Sequence, residues 1–546
     1  MADRWYRSAV LYCLDVENFQ DSNGDGIGDL QGLISRLDYL ARLGVTCLWL
    51  NPVHPSPRRD DGYDVTDFYG IHPDIGTVGD FAELVHQAGN RGLRVIIDLV
   101  VNHTSDQHPW FQSARSNKDS PYRDWYLWSD TEPSDRRQGM VFPGEQDETW
   151  TWDDTAGAWY YHRFYDFQPD LNAANPAVQA EIERIIDLGL ALGVAGFRMD
   201  AAPFIIEMTE PGNADSPKDF DLLTRYRERL SWRRGDALVL AEANVENDEL
   251  VKYFGDAGGS NNRLPMLFDF VLSVNCLLAL ARGEAAPVRR ARARAPAIPN
   301  HAQWATFLRN HDEVDLSRLS KEEMQECFAA FGPDPDMQLY GRGIRRRLAP
   351  MLDGDQRRLR LAYSLQFTLP GTPVLRYGEE LGMGDDLSLP DREALRTPMQ
   401  WSDTRGAGFS SADRLVRPVV ADGAFGFPTV NVAAARVDPE SLLSWFQRMI
   451  HTLRECPEVG TGTCTPLDVD GPAVLAHRVD AAEGVLVFLH NLGREDVVVD
   501  VGRQPGQEGD PMEVFADRPY DPVSPDLEGI ALSGSGFRWV RLRRST

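Results

Sequence analysis

Leu190-Ala-Leu-Gly-Val194-Ala-Gly196-Phe197-Arg198-Met199-Asp200 decides how this chain is read. An apolar run passes through Gly196, where backbones can pack closely, into a short buried strand ending in a charged pair. Arg198 and Asp200 are two residues apart, so on a strand they point to the same face. A carboxylate beside a guanidinium is favoured in its ionised form. An ionised, partly desolvated carboxylate at a strand end suits a nucleophile. Taken alone, such a pair is more often structural.

Three further apolar runs end in the same way. Val95-Ile-Ile-Asp98-Leu-Val-Val-Asn102-His103, Leu238-Val-Leu-Ala-Glu242 and Phe307-Leu-Arg-Asn-His311-Asp312 each read as a strand with polar groups at its carboxyl end. A polar cap is common on any one strand. Four in series point to one shared mouth, where a (β/α)8 TIM barrel gathers its catalytic groups. Residues 10–14 read as the first strand and 47–51 as the second. Between them Leu30, Leu33, Ile34, Leu37, Leu40 and Leu43 recur at helical spacing. Residues 80–91 read as a helix before the Val95 strand, and this alternation predicts a parallel α/β sheet.

Over 104–169 the alternation stops and Trp, Tyr, Asp and Pro accumulate, so an inserted subdomain is expected over the barrel mouth after strand 3. Trp110, Phe111, Trp150, Trp152, Trp159 and Tyr161 are assigned mainly to its core. Val178, Ile182, Ile185 and Leu188 mark the helix that resumes the barrel, with 372–377 as the last strand and 442–453 as the closing helix. Then come short apolar runs, at 474–479, 485–489, 497–501, 512–516 and 537–542, in the pattern of an antiparallel β-sandwich. The expected division is a barrel of 1–103 and 170–455, an insertion of 104–169 and a C-terminal β-sandwich domain of 456–546.

The 546 residues exceed what one core usually organises. A formal charge of -27 argues against nucleic acid and anionic membrane as partners. No apolar run approaches the roughly 20 residues of a membrane span. Met1-Ala-Asp-Arg-Trp-Tyr-Arg7 has no apolar leader, so a cytoplasmic location is expected. The six cysteines lack metal-binding spacing; Cys13 and Cys47 read as small buried hydrophobes, and Cys456 and Cys464 as reduced thiols. Arg342, Arg345, Arg346, Arg347, Arg357, Arg358 and Arg360 are expected to pair with local acids around a helix amino end, the alternative being a sugar-facing or interface role. The sequence leaves room for a homo-oligomer.

The motifs Asp98-x-x-x-Asn102-His103, Gly196-Phe197-Arg198-x-Asp200, Ala241-Glu242-Ala243-Asn244 and Arg309-Asn310-His311-Asp312 resemble those of the α-amylase clan of retaining α-glycosidases and transglycosylases. The resemblance runs almost from end to end. It implies Asp200 as nucleophile, Glu242 as general acid/base and Asp312 as stabiliser of the transition state. His103, Arg198 and His311 would hold the sugar and set the charge balance. Tyr63 and Asp64 would line the terminal glucose subsite, with Gln168, Asn244 and Arg392 completing the substrate-binding set. A retaining enzyme needs two carboxyl groups about 5–5.5 Å apart. Arg198 is expected to keep Asp200 low, while the surroundings of Glu242 raise it so that it starts protonated.

Asp21-Ser-Asn23-Gly-Asp25-Gly26-Ile27-Gly-Asp29 sets oxygen ligands at alternate positions around a sharp turn. Gly32 stands where an EF-hand loop has its bidentate acid. A structural Ca2+ of the clan's type is expected, on Asp21, Asn23, Asp25, the Ile27 carbonyl and Asp29. The alternative is a polar loop in which Asp29 caps the next helix. The resemblance implies a second calcium under the insertion, on Asn102, Asp170, the Phe204 and Ile205 carbonyls and Glu207. No organic cofactor is expected.

Within the clan the chain is most similar to the trehalose synthases. The shared segments are Asn102-His-Thr-Ser-Asp-Gln-His-Pro-Trp110, Gln168-Pro-Asp-Leu-Asn172, Ile344-Arg-Arg-Arg-Leu-Ala-Pro350 and Arg396-Thr-Pro-Met-Gln-Trp401. The implied reaction interconverts maltose and trehalose through a covalent glucosyl-Asp intermediate. Glucose freed on the acceptor side must stay, turn and attack in a pocket that excludes water. Gly139, Asp166, Phe167, Asp315, Ser317 and Arg376 depart from the synthase pattern, so a looser acceptor side with some hydrolysis is expected. The other readings are a hydrolytic α-glucosidase or transglucosidase of short α-glucosides and, from another class, an inactive sugar-binding barrel, against which all three acids stand. The expected partner is a small α-glucoside.

Overall fold

The computed structural model describes residues 4–208, 216–255, 262–482, 484–507 and 510–542. Eight strands close into a barrel: β1 (Leu11–Leu14), β2 (Cys47–Leu50), β3 (Arg94–Leu99), β4 (Gly196–Met199), β5 (Leu238–Ala241), β6 (Met266–Phe268), β7 (Gln303–Thr306) and β8 (Thr372–Arg376). Each pairs in parallel with its neighbour in the chain, and β8 closes on β1. The strands are short continuous apolar runs because both faces are covered. Alternate residues, among them Leu11, Cys47, Trp49, Ile96, Leu240 and Met266, fill the barrel interior. The intervening ones pack outward against the helices.

Register levels the strand ends. Asp98 lies opposite Arg198 across β3 and β4, and Met199 opposite Ala241 across β4 and β5. Asp200 and Glu242 therefore leave adjacent strands at the same height. Gly196 permits that closeness: its φ is 151°, and a Cβ there would lie 2.0 Å from the Leu238 carbonyl oxygen.

Several elements differ from the sequence reading. β6 was not anticipated, because three residues are too few to show a period. The seventh strand is Gln303–Thr306, so 307–312 runs on beyond the strand as loop. The helical run from Leu30 breaks at Arg36 into Leu30–Ser35 and Leu37–Leu43.

The insertion holds a helix, Pro109–Ser116, and an antiparallel sheet of Trp128–Ser129, Trp150–Asp153 and Ala158–Tyr161. Of the six aromatics assigned mainly to its core, Phe111 and Tyr161 are buried, Trp110, Trp150 and Trp159 are half-buried and Trp152 is exposed; Phe111 stacks on Trp128 with centroids 5.5 Å apart. At the carboxyl end Thr463–Leu467, Val474–Asp480, Val485–Asn491, Phe537–Leu542 and Met512–Ala516 form one antiparallel sheet. Val497–Val499 pairs with Ile530–Leu532 as a second. Val487, Leu489, Ile530 and Val540 form a core shared by the two sheets. Phe488 and Trp539, on the opposite face, join the barrel core, where Trp539 Nε1 donates to Ser364 Oγ at 2.9 Å. All six cysteines are free. Among the described residues no helix is long and apolar enough to cross a membrane.

Candidate active site

The strand ends open into a cavity of ≈ 350 Å³, lined by Asp200, Glu242 and Asp312 together with Tyr63, His103, Asn244, His311 and Arg392. Arg198, buried at the end of β4, holds both principal acids. Its Nη1 lies 2.5 Å from Asp200 Oδ1 and its Nη2 lies 2.7 Å from Glu242 Oε2. One planar guanidinium thus holds the two carboxyl groups beside each other at the cavity floor. Ala201, directly after Asp200, has φ 49°, a left-handed conformation that a non-glycine residue adopts only when its surroundings enforce it.

Burial governs the protonation states. It pushes Glu242 up to about 7, with Arg198 opposing and the Asp200 and Asp312 charges adding to the rise. A proton is therefore available on Glu242 at neutral pH, as a general acid requires. Burial also lifts Asp200, to about 6, against the pull of Arg198 and with the help of Asp98. This corrects the expectation that Arg198 keeps Asp200 low: desolvation of a fully enclosed carboxylate outweighs one guanidinium. Asp200 still ionises before Glu242. For Asp312 burial is outweighed, and the Arg392 and Arg396 guanidiniums hold it well below the usual carboxylate range. Arg392 Nη1 lies 3.2 Å, and Arg396 Nη2 3.0 Å, from Asp312 Oδ1. Burial keeps His103 neutral, down to about 4, and lowers His311 further.

Tyr63 lines the cavity, in the place expected of a sugar platform. Its ring stacks on His311, with centroids 5.7 Å apart and planes 9° apart. His103 Nε2 lies 3.1 Å from the Tyr63 carbonyl, fixing the loop. Asp64 is turned away from the cavity: it is fully buried and takes hydrogen bonds from Ser56 Oγ at 2.6 Å and Arg59 Nε at 3.4 Å. The acid of this loop that faces the cavity is Asp60, which the sequence reading missed. Gln168 does not line the cavity; its Nε2 donates to Asp60 Oδ2 at 2.8 Å. Arg396 was missed as well, although it lies in a segment already singled out. Its pairing with Asp61 and Asp312 was the signal that only contacts could provide.

The sequence matches the α-amylase catalytic domain over residues 16–329 and 345–461. The chain belongs to the α-amylase family. A trehalose synthase of Pimelobacter sp. strain R48 is 41% identical over 551 residues, covering 98% of this chain and 96% of that one. A trehalose synthase/amylase of Mycolicibacterium smegmatis is 40% identical, covering 99% of this chain and 93% of that one. Among solved structures, an α-amylase from H. orenii superposes with a TM-score of 0.80 at 29% identity, covering 98% of this chain and 99% of that one.

In this α-amylase family member the acceptor wall is bridged. Arg342 Nη2 donates to the Val141 carbonyl at 2.9 Å, joining the insertion to the barrel loops. Arg342 Nε lies 3.5 Å from Asp315 Oδ2, which also accepts from Asn244 Nδ2 at 3.1 Å. Arg318 Nε donates to Asn244 Oδ1 at 2.6 Å, and Ser317 lines the cavity beside it. Asp315 thus carries a bridge that its departure from the synthase pattern did not foretell. Phe167 stacks on Tyr165 and lies under Arg59, away from the cavity. Nearby in the basic run, Arg347 pairs with Glu379 and Arg346 with Asp385, while Arg345 donates to the backbone carbonyls of Asp336, Leu387, Leu389 and Asp391.

Two sets of residues bear on calcium. In the Asp21 loop, Asp21 Oδ1 accepts from the Asn23 and Gly24 amides and Oδ2 from the Gly26 amide at 2.9 Å. Asn23 Oδ1 accepts from the Asp25 amide at 2.9 Å, and Asp25 Oδ1 from the Ile27 amide at 2.8 Å. Asp29 is the cap of Leu30–Ser35, accepting from the Gly32 amide. These oxygens are hard donors of the kind Ca2+ takes, and those of Asn23 and Asp25 keep lone pairs free. In the second set, Asp170 accepts from Asn102 and from the Arg163 amide, and Glu207 pairs with the Arg163 guanidinium, which lies over the Phe204 ring. That cluster already holds a cation. Among the described residues no three His, Cys, Asp or Glu side chains converge as a metal cluster.

Proposed function

We propose that this protein interconverts maltose and trehalose as a retaining α-glucosyl-transferring enzyme, releasing some glucose. The observation that carries this reading is the bridged ≈ 350 Å³ cavity with Asp200 and Glu242 on one guanidinium at its floor. The trehalose synthase relatives support it. Asp200 attacks the anomeric carbon as the glycosidic C–O bond breaks, and the Glu242 proton passes to the leaving oxygen. The freed glucose turns within the cavity. Its anomeric hydroxyl gives its proton to Glu242 and attacks the glucosyl carbon, which returns the Asp200 carboxylate. Two inversions give net retention.

Purified protein given maltose, trehalose or sucrose separately, and followed by NMR of the anomeric protons, tests this. Maltose should yield an α,α-linked signal at early times. Glucose alone would establish the hydrolytic α-glucosidase reading instead.

The bridge predicts how products partition. Arg342→Ala opens the link between Val141 and Asp315, so water competes better for the intermediate. The ratio of glucose to trehalose from maltose should rise roughly threefold or more, with stability near that of the parent. An unchanged ratio would remove Arg342 from the closure.

We propose a structural calcium in the Asp21–Asp29 loop, supported by its alternating oxygen donors. Chelation should lower the melting temperature by about 2–5 °C, and added calcium should restore it. A chelator-insensitive melt would leave Asp29 as a helix cap only. The Asp170–Glu207 set is the proposed second position, where an ion would compete with Arg163; two calcium ions per chain by elemental analysis would support it, and one would confine binding to the loop. Six free cysteines and the acidic surface accord with the cytoplasmic location we propose.

A further inference from the structure

Arg376 ends β8 and is 2% exposed, beneath the sugar platform and without contact to the cavity. It forms a buried pair with Asp15, and its Nη1 donates to Asn51 Oδ1 at 2.9 Å. A guanidinium can only donate hydrogen bonds. The Asn51 amide must therefore turn its oxygen toward Arg376 and its nitrogen toward Tyr63, where Nδ2 lies 3.3 Å from the hydroxyl. The Tyr63 hydroxyl then accepts from Asn51, and its one proton points to Asp98 Oδ2 at 2.8 Å. His311 Nε2, 2.7 Å away, meets the remaining lone pair. Asp98 in turn receives Trp49 Nε1 at 3.0 Å and faces Arg198 Nη1 at 3.5 Å, the nitrogen that holds Asp200.

We propose that Arg376 is a positioning residue that fixes the direction of the hydrogen-bond chain Asn51–Tyr63–Asp98, so that the platform hydroxyl gives its proton to Asp98. A residue able both to donate and to accept at position 376 would let the Asn51 amide turn over. Two acceptors, Asn51 Oδ1 and Asp98, would then share one Tyr63 proton. Asp98 would lose a donor and draw more heavily on Arg198, loosening the guanidinium from the nucleophile. The platform ring itself would stay in place, so the loss should fall on turnover rather than on sugar binding.

The proposal rests on the α-glucosyl reading of the cavity, which turnover of α-glucosyl fluoride by the parent decides first. Three variants then separate direction from mere packing. Asn51→Asp keeps its size and pairs more strongly with Arg376, but it offers only acceptors to Tyr63. It should melt at or above the parent temperature, while kcat on the fluoride falls at least about tenfold and KM stays within about twofold. Arg376→Gln should show the same split, and Arg376→Lys, again a pure donor, should stay within about threefold of the parent. Full parent kcat in Asn51→Asp would overturn the proposal, as would equal losses in Arg376→Lys and Arg376→Gln. Failure of the parent to turn over the fluoride would instead overturn the reading of the site.

Discussion

Asp200→Ala should lower glucosyl transfer by on the order of 10⁴-fold or more, because no other group can form the covalent intermediate. The cavity has other carboxylates, but their places differ. Asp312 is held by Arg392 and Arg396 on the wall, and Asp60 is held by Gln168. Of the described carboxylates that line the cavity, Asp200 is the one that shares the Arg198 guanidinium with Glu242. A mechanism-based fluoroglucosyl probe should label Asp200 in the parent, read by mass spectrometry of the digested protein. Label on Asp312 or Glu242 would reverse the assignment, whatever the activity of the alanine variant.

Glu242→Gln should cost about 10²–10⁴-fold on maltose, where the leaving oxygen needs a proton, and far less on a glucosyl fluoride, where it does not. Azide should restore turnover of the fluoride by attacking the glucosyl–Asp200 intermediate without base assistance. The pH profile gives an independent check. With Asp200 at about 6 and Glu242 at about 7, activity should fall below the first as the nucleophile takes a proton. It should fall again above the second as the acid loses its own. The two limbs belong to the coupled pair and close in from both sides. Glu242→Gln should abolish the alkaline limb measured on maltose and keep the acid one. A profile in which the alkaline limb persists in that variant would place the acid elsewhere.

Much of the site was legible because a parallel barrel writes its chemistry at strand ends. Asp98, Asp200 and Glu242 each follow a run of apolar residues, and the run marks the strand while the first charge marks its mouth. Asp312 was found although its motif lies past β7 on a loop, because its neighbours Arg309, Asn310 and His311 carried the resemblance. The loop acids were harder. Asp60, Asp61 and Asp64 stand within five positions, and no local period distinguishes them. Packing sends Asp60 to the cavity, Asp61 to Arg396 and Arg417, and Asp64 into the interior beside Ser56.

By itself, then, the sequence determined the strand–helix alternation of a parallel barrel, the inserted and C-terminal segments and the three acids in their order. These depend on hydrophobic period and on residues one or two positions apart. The tertiary structure alone decided the charge state of Asp200, the arginines on Asp312 and the bridge across the acceptor wall. Arg396 meets Asp312 across 84 positions and Asp61 across 335, and Arg342 meets Val141 across 201. No local pattern encodes such meetings. They arise because the barrel brings loops from every strand to one rim, where burial raises the energy of each charge until a partner from a distant loop relieves it.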